Sequence, residues 1–154
     1  MIKKFKFVLE PVLGHRERIE DEKQQVYGER RRELTLAQEE LARLNGEFKR
    51  HSSTLREGHK SLNSEQLRAH YAHLEYLDRC ITMQHGVVSQ RRIAVERARG
   101  DLVEASKDRK VIEKLKDKRF EEHRALEAAF EQKELDDANN RQHARLSPRT
   151  EVNT

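Results

Sequence analysis

A few places in this sequence carry residue types that can do chemistry. Gly58-His59-Lys60-Ser61 has the ending of a phosphate-binding loop, in which backbone N–H groups and a lysine cradle phosphate oxygens. Such a loop needs another glycine five residues before Gly58 and a strand leading into it. Ser53 stands at that place, in a helix-forming stretch, so the segment reads as a hairpin turn. His70 and His73 are three apart, and residues at that spacing share a helix face. Two imidazoles on one face are half of a zinc site, which takes four ligands. Glu75 lies off that face, and the remaining histidines, at 15, 51, 59, 85, 123 and 143, are scattered along the chain. The expectation is solvated or seam-edge imidazoles and no metal. Cys80 is the single cysteine, so no internal disulfide forms. Beside Ile81 it reads as a half-buried small side chain rather than a nucleophile. No Ser-His-Asp or Cys-His arrangement can be built. The chain reads as a protein that is not an enzyme, with no cofactor and no small-molecule substrate.

Charge narrows the partners. Of 154 residues, 32 are Lys or Arg and 28 are Asp or Glu, a net charge of +4. Arg30-Arg31-Arg32 and Arg91-Arg92 are basic runs that an antiparallel pairing brings together, Arg30 beside Arg92. Runs of this kind are usually solvated helix faces, here with Glu29, Glu33 and Glu96 as partners. Their functional reading is contact with an acidic protein surface. Nucleic acid is not an expected partner, because no aromatics interleave with the charges.

The elements that must position these residues are helices. Hydrophobic residues make up only 34% of the chain, and no proline stands between Pro11 and Pro148. The interior is rich in Glu, Lys, Arg, Gln, Leu and Ala, the strong helix formers. Tyr27, Leu34, Leu41, Phe48 and Leu55 recur every seven residues. So do Leu67, Leu74, Ile81, Val88, Val95 and Leu102. Ala37 and Leu44, with Leu77, Ala98, Ala105 and Ile112, form a companion line. A sustained seven-residue repeat keeps a narrow apolar stripe against a partner helix.

The stripe lapses from about Arg56 to Ser64. Gly58 can end a helix through its freedom to adopt a positive φ. Asn63 and Gln66 have the spacing of a reciprocal cap. Two long helices with so short a connection return antiparallel. Pairing Leu55 with Leu67 brings Phe48 to Leu74, Leu41 to Ile81, Leu34 to Val88 and Tyr27 to Val95.

The predicted fold class is therefore all-α, a long antiparallel two-helix coiled-coil hairpin. It is one unit over 1–145: helix 1 about 8–57, turn about 58–63, helix 2 about 64–140, with a loose tail over 146–154. Phe5, Phe7, Val8 and Leu9 are expected near Ile112, Leu115 and Phe120. Helix 2 then overhangs unpaired beyond roughly residue 118. No run approaches the ~18 apolar residues of a membrane span, and no signal peptide is present, so a cytoplasmic protein is expected.

The segment Phe5-Lys6-Phe7-Val8-Leu9-Glu10-Pro11-Val12-Leu13, with Arg16-Glu17 after it, resembles the start of the flagellar FliJ family. Arg109-Lys110-Val111-Ile112-Glu113-Lys114-Leu115-Lys116-Asp117-Lys118-Arg119 and Gln132-Lys133-Glu134-Leu135-Asp136-Asp137 are similar to that family's C-terminal signature. The resemblance spans about residues 3–140. It implies a coiled-coil stalk of the type III export apparatus. Such a stalk enters the export ATPase ring and promotes its assembly, contacts the export gate at the membrane, and handles export chaperones. It would be cytoplasmic and peripheral to the inner face of the membrane through its protein partners. By position, the gate contact corresponds to a face with His73, Leu77, Cys80 and Gln84. Arg109, Lys110, Lys114, Lys118 and Arg119, at the open end, are the candidates for the ring. The stalk of a virulence injectisome shares this architecture, and a homodimeric coiled-coil scaffold is the reading without an export role.

Overall fold

The computed structural model describes residues 2–147. Among them the elements are α1 (Glu10–Gly58), one 3-10 turn (His59–Ser61) and α2 (Ser64–Leu146), with no strands. The two long helices pack against each other as a helical hairpin. Helix α2 runs six residues further than the periodicity predicts, because the stretch after 140 has neither proline nor glycine to stop it. Of the expected tail over 146–154, Leu146 ends α2 and Ser147 follows it; 148–154 lie outside the described residues.

The connection corrects one expectation. Gly58 has φ −99° and ψ −2°, in the right-handed helical region, so its freedom to take positive φ is not used. The chain instead tightens into the 3-10 turn. The Ser61 hydroxyl donates to the Gly58 carbonyl at 2.8 Å, which satisfies one of the orphan acceptors at the end of α1. Helix α2 begins with the reciprocal cap. Gln66 N–H donates to Asn63 Oδ1 at 2.8 Å, and Asn63 N–H donates to Gln66 Oε1 at 3.1 Å. Two N-terminal donors that a helix would leave unpaired are thereby bonded.

Contacts divide the chain into two units, 17–107 and 1–16 with 108–154. In the first, the core is a double line of side chains. Leu55, Val88 and Val95 of the seven-residue ladder are buried. Tyr27, Leu34, Leu41, Phe48, Leu67, Leu74, Ile81 and Leu102 are half-buried. Ala37, Leu44, Leu77, Ala98 and Ala105 of the companion line are all buried, Leu77 to 2% exposure.

That companion line also carries polar layers. Successive seven-residue steps on α1, at Arg30, Ala37, Leu44 and His51, stand opposite Arg91, Gln84, Leu77 and His70 on α2. Gln84 Nε2 donates to the Ala37 carbonyl at 2.9 Å. That oxygen has a second lone pair beyond its helical bond. Glu33 accepts from Arg30 at 3.1 Å and from Arg91 at 3.3 Å. The basic runs therefore meet through Arg91 and a shared carboxylate, rather than through Arg92. His51 lies edge-on to His73, with ring centroids 4.4 Å apart, and 6.4 Å from His70. His51, read as one of the scattered histidines, thus joins the His70 and His73 face in a cluster of three.

In the second unit, Leu13 and Ile112 are buried. The Arg16 guanidinium donates to the Asp108 carbonyl at 2.7 Å, and Lys116 pairs with Glu10 at 2.9 Å. Before α1 the chain is extended and runs along α2 as a strap. Phe5 sets its ring edge-on to Phe120, centroids 5.3 Å apart, and 5.5 Å from His123. The His123 ring bonds the Lys3 carbonyl at 2.9 Å. Ile2 reaches Glu127, Phe130 and Glu134.

Geometry explains the reach. Seven extended residues span about 23 Å, the length of some fifteen helical residues at ~1.5 Å each. That is the separation of Leu115 from Phe130. The first part of the expected overhang, to about Phe130, is thus covered along one side, while 131–147 are exposed throughout, as an unpaired helix would be. Val8 is the exception to the expected packing: it is 89% exposed.

Candidate functional site

A hairpin one side chain thick cannot enclose a dry pocket, and this one presents surfaces. In the unit 17–107, a shallow groove of about 370 Å³ runs between the helices. His73, Leu77, Cys80 and Gln84, the four residues singled out for the gate contact, all line it. Their placement follows from helix geometry, since steps of three and four keep side chains on one face. They differ in what they offer. Leu77 is buried in the seam, and Gln84 is engaged with the Ala37 carbonyl. Cys80 is half-buried and His73 exposed.

The groove has a second set of residues that the sequence reading passed over. Tyr76 and Met83 are 55% and 74% exposed. Each lies three residues beyond a candidate, Tyr76 after His73 and Met83 after Cys80, so helical spacing alone contained them. The Cys80 sulfur beside it pushes the Tyr76 hydroxyl above the ordinary phenol range, mainly through a hydrogen bond. From α1 come Glu40, Arg43 and Glu47. Arg43 grips Glu40 with two bonds of 2.7 and 2.9 Å and reaches Glu47 at 3.2 Å. The Arg43 guanidinium holds the Glu40 carboxyl below the usual carboxylate range. The groove thus combines exposed apolar and aromatic surface with a rigid charged wall. That suits a protein partner better than a reaction. In the adjacent histidines, His51 meets His73 edge to face and His70 at a tilt, and no group of three metal-ligating side chains forms among the described residues.

In the other unit, the five basic residues of α2 fall into two kinds. Arg109 is half-buried and paired with Glu113, and Arg119 pairs with Glu122 at 3.3 Å. Lys110, Lys114 and Lys118 recur every four residues and are all exposed. No hydrogen bond or ion pair ties down any of the three among the described residues. They form a stripe of unneutralised ammonium groups, which attracts acidic surfaces over about a Debye length. The groove and the stripe hold the residues that the sequence singled out as contact candidates. No described helix is long and apolar enough to cross a membrane.

Comparison with known proteins points the same way. The family described as "Flagellar FliJ protein" matches residues 5–147, which takes in both helices and the strap from Phe5 on. No curated protein matches the chain. Among solved structures, a YscO homologue from Chlamydia trachomatis is 23% identical, over 92% of this chain and 96% of that one, with a TM-score of 0.48. The match over nearly all of its length shows that this chain belongs to the flagellar FliJ family, the coiled-coil proteins of the type III export apparatus.

Proposed function

We propose that the chain is a non-enzymatic stalk that enters the ring of the export ATPase, promotes its assembly and links it to the export gate, handling export chaperones on the way. It works in the cytoplasm, at the inner face of the membrane, held there through its partners. The observation that carries the ring contact is the lysine stripe of Lys110, Lys114 and Lys118. Three exposed cations on one helix face, none paired within the chain, suit many weak and reversible contacts, since an exposed ion pair contributes only about 0–1 kcal/mol. The groove of His73, Cys80, Tyr76 and Met83 supports the gate contact. Its exposed aromatic and methionine side chains are of the kinds enriched in interface centres. The seam is filled within one chain, which favours this reading over a scaffold that needs a second copy to close it.

The test is charge reversal at Lys110, Lys114 and Lys118 together. These side chains are exposed, so the variant folds. It is expected to bind the export ATPase weakly and to lose stimulation of ATP hydrolysis. Unchanged stimulation would remove the stripe from the ring contact. Met83→Asp is the corresponding test of the gate contact, read as loss of binding to the gate's cytoplasmic part with ring binding intact.

A further inference from the structure

The strap covers one side of α2 and leaves the neighbouring side open. Between them lies a cleft of about 940 Å³ in the unit built from 1–16 and 108–154. Its floor is the α2 stripe Leu115, Arg119, Glu122 and Leu126, with steps of four, three and four. That is the spacing of a coiled-coil seam, yet no helix lies on it. Leu126 is 65% exposed and Phe120 44%. On the strap, Val8 is 89% exposed. Lys3, Lys4 and Lys6 stand on the rim, all exposed, and none makes an ion pair among the described residues. Apolar surface of this extent beside unneutralised cations marks an interaction site.

We propose that this cleft takes an amphipathic helix of a partner protein, carrying leucine- or phenylalanine-type anchors with acidic side chains on its flanks. The anchors pack against Leu115, Leu126 and Val8, as a third helix beside the strap. The acidic flanks meet Lys3, Lys4 and Lys6. Charge sets the choice of occupant. The exposed lysines of the rim attract acidic flanks, and self-association through a second copy is told apart by the test below. The inference stands on the cleft itself and does not depend on the ring contact, whose lysine stripe is made of other residues.

The probe is a dye-labelled synthetic helix with a leucine stripe at seven-residue repeat and glutamates on both flanks, titrated with the full chain and read by fluorescence anisotropy. A twin with lysines in place of the glutamates is expected to bind at least about tenfold more weakly. Leu126→Glu is expected to abolish binding of the acidic helix, and Lys4→Glu with Lys6→Glu to weaken it about tenfold. Leu36→Glu, at a leucine of equal exposure on α1, is expected to leave binding unchanged. Helix content by circular dichroism shows that each variant folds. Equal binding of the twin, intact binding by Leu126→Glu, or equal loss in Leu36→Glu would overturn the proposal. So would binding to phosphatidylserine vesicles that Leu126→Glu abolishes, which would make the cleft a lipid site. A concentration-dependent dimer lost in Leu126→Glu would make it a self-association site.

Discussion

Two ways of covering a helix coexist in this protein. Over 17–107, α2 is covered by another helix, turn for turn. Beyond that, as far as about Phe130, α2 is covered by the strap of residues 2–9, which is irregular up to a turn at Val8 and Leu9. Helix on helix gives each turn one apolar partner, so Leu44, Leu77, Val88 and Ala98 are buried. An extended strap advances about twice as far per residue as a helix. It therefore spans much of α2 with few side chains, and buries little. Phe120, Leu126 and Phe130 keep 44%, 65% and 37% of their surface exposed beneath or beside it. Long reach with thin cover leaves surface for a partner, while close packing leaves almost none.

Substitutions that act on one kind of cover and spare the other sharpen this contrast. The largest effect is expected from Leu77→Ala in the helix-on-helix seam. Loss of a buried leucine costs about 2–5 kcal/mol, visible as a lower urea midpoint. A loss below 1 kcal/mol would mean that the seam tolerates cavities as freely as the strap does. Next is Asn63→Ala, which removes the bond to Gln66 N–H and costs about 1 kcal/mol. Its signature is faster amide exchange in the first turn of α2.

Phe5→Ala acts on the strap. The edge-on pair with Phe120 contributes about 0.5–1.5 kcal/mol, and its loss is expected to release residues 2–8 to proteolysis while the urea midpoint of the seam stays put. A shift of the midpoint as large as that of Leu77→Ala would erase the distinction between the two covers.

The smallest effect is electrostatic. Arg43 depresses the Glu40 carboxyl in the folded chain. The pair's contribution is complete above the ordinary value of 4.5 and is lost as pH falls through the depressed one. Both groups are exposed, so the change in stability is slight, but the titration of Glu40 followed by NMR should move upward in Arg43→Gln.

Much of this arrangement was legible in the sequence. Heptad spacing gave the hairpin, because a seven-residue apolar repeat has no other way to be buried along two helices. The Asn63 and Gln66 spacing marked the start of α2, because a cap is a local interaction. The four residues proposed for the gate contact fell into one groove for the same local reason, helical period. What periodicity could not show were contacts between residues with no shared repeat. His51 joins His70 and His73 only once the register is set and brings it across from His70.

The strap was half legible. Its aromatic contact with Phe120 was expected from hydrophobicity. Its extended conformation was not, and so neither was its reach to Phe130. An irregular segment leaves no periodic trace.

By itself the sequence determined that this is an all-helical hairpin of the FliJ family with a charged surface and no room for a deep pocket. Those properties follow from composition and local spacing, which act within a few residues. Only the tertiary structure decided which cations are spent on carboxylates distant in sequence. Arg91 reaches Glu33 and Lys116 reaches Glu10 across the helices, while Arg30, Arg109 and Arg119 pair with carboxylates three or four residues away. The stripe of Lys110, Lys114 and Lys118 and the rim of Lys3, Lys4 and Lys6 remain for partners. Formal charge counts are the same for all of them. Whether a carboxylate stands within reach depends on register and on how far an extended strap can stretch along a helix.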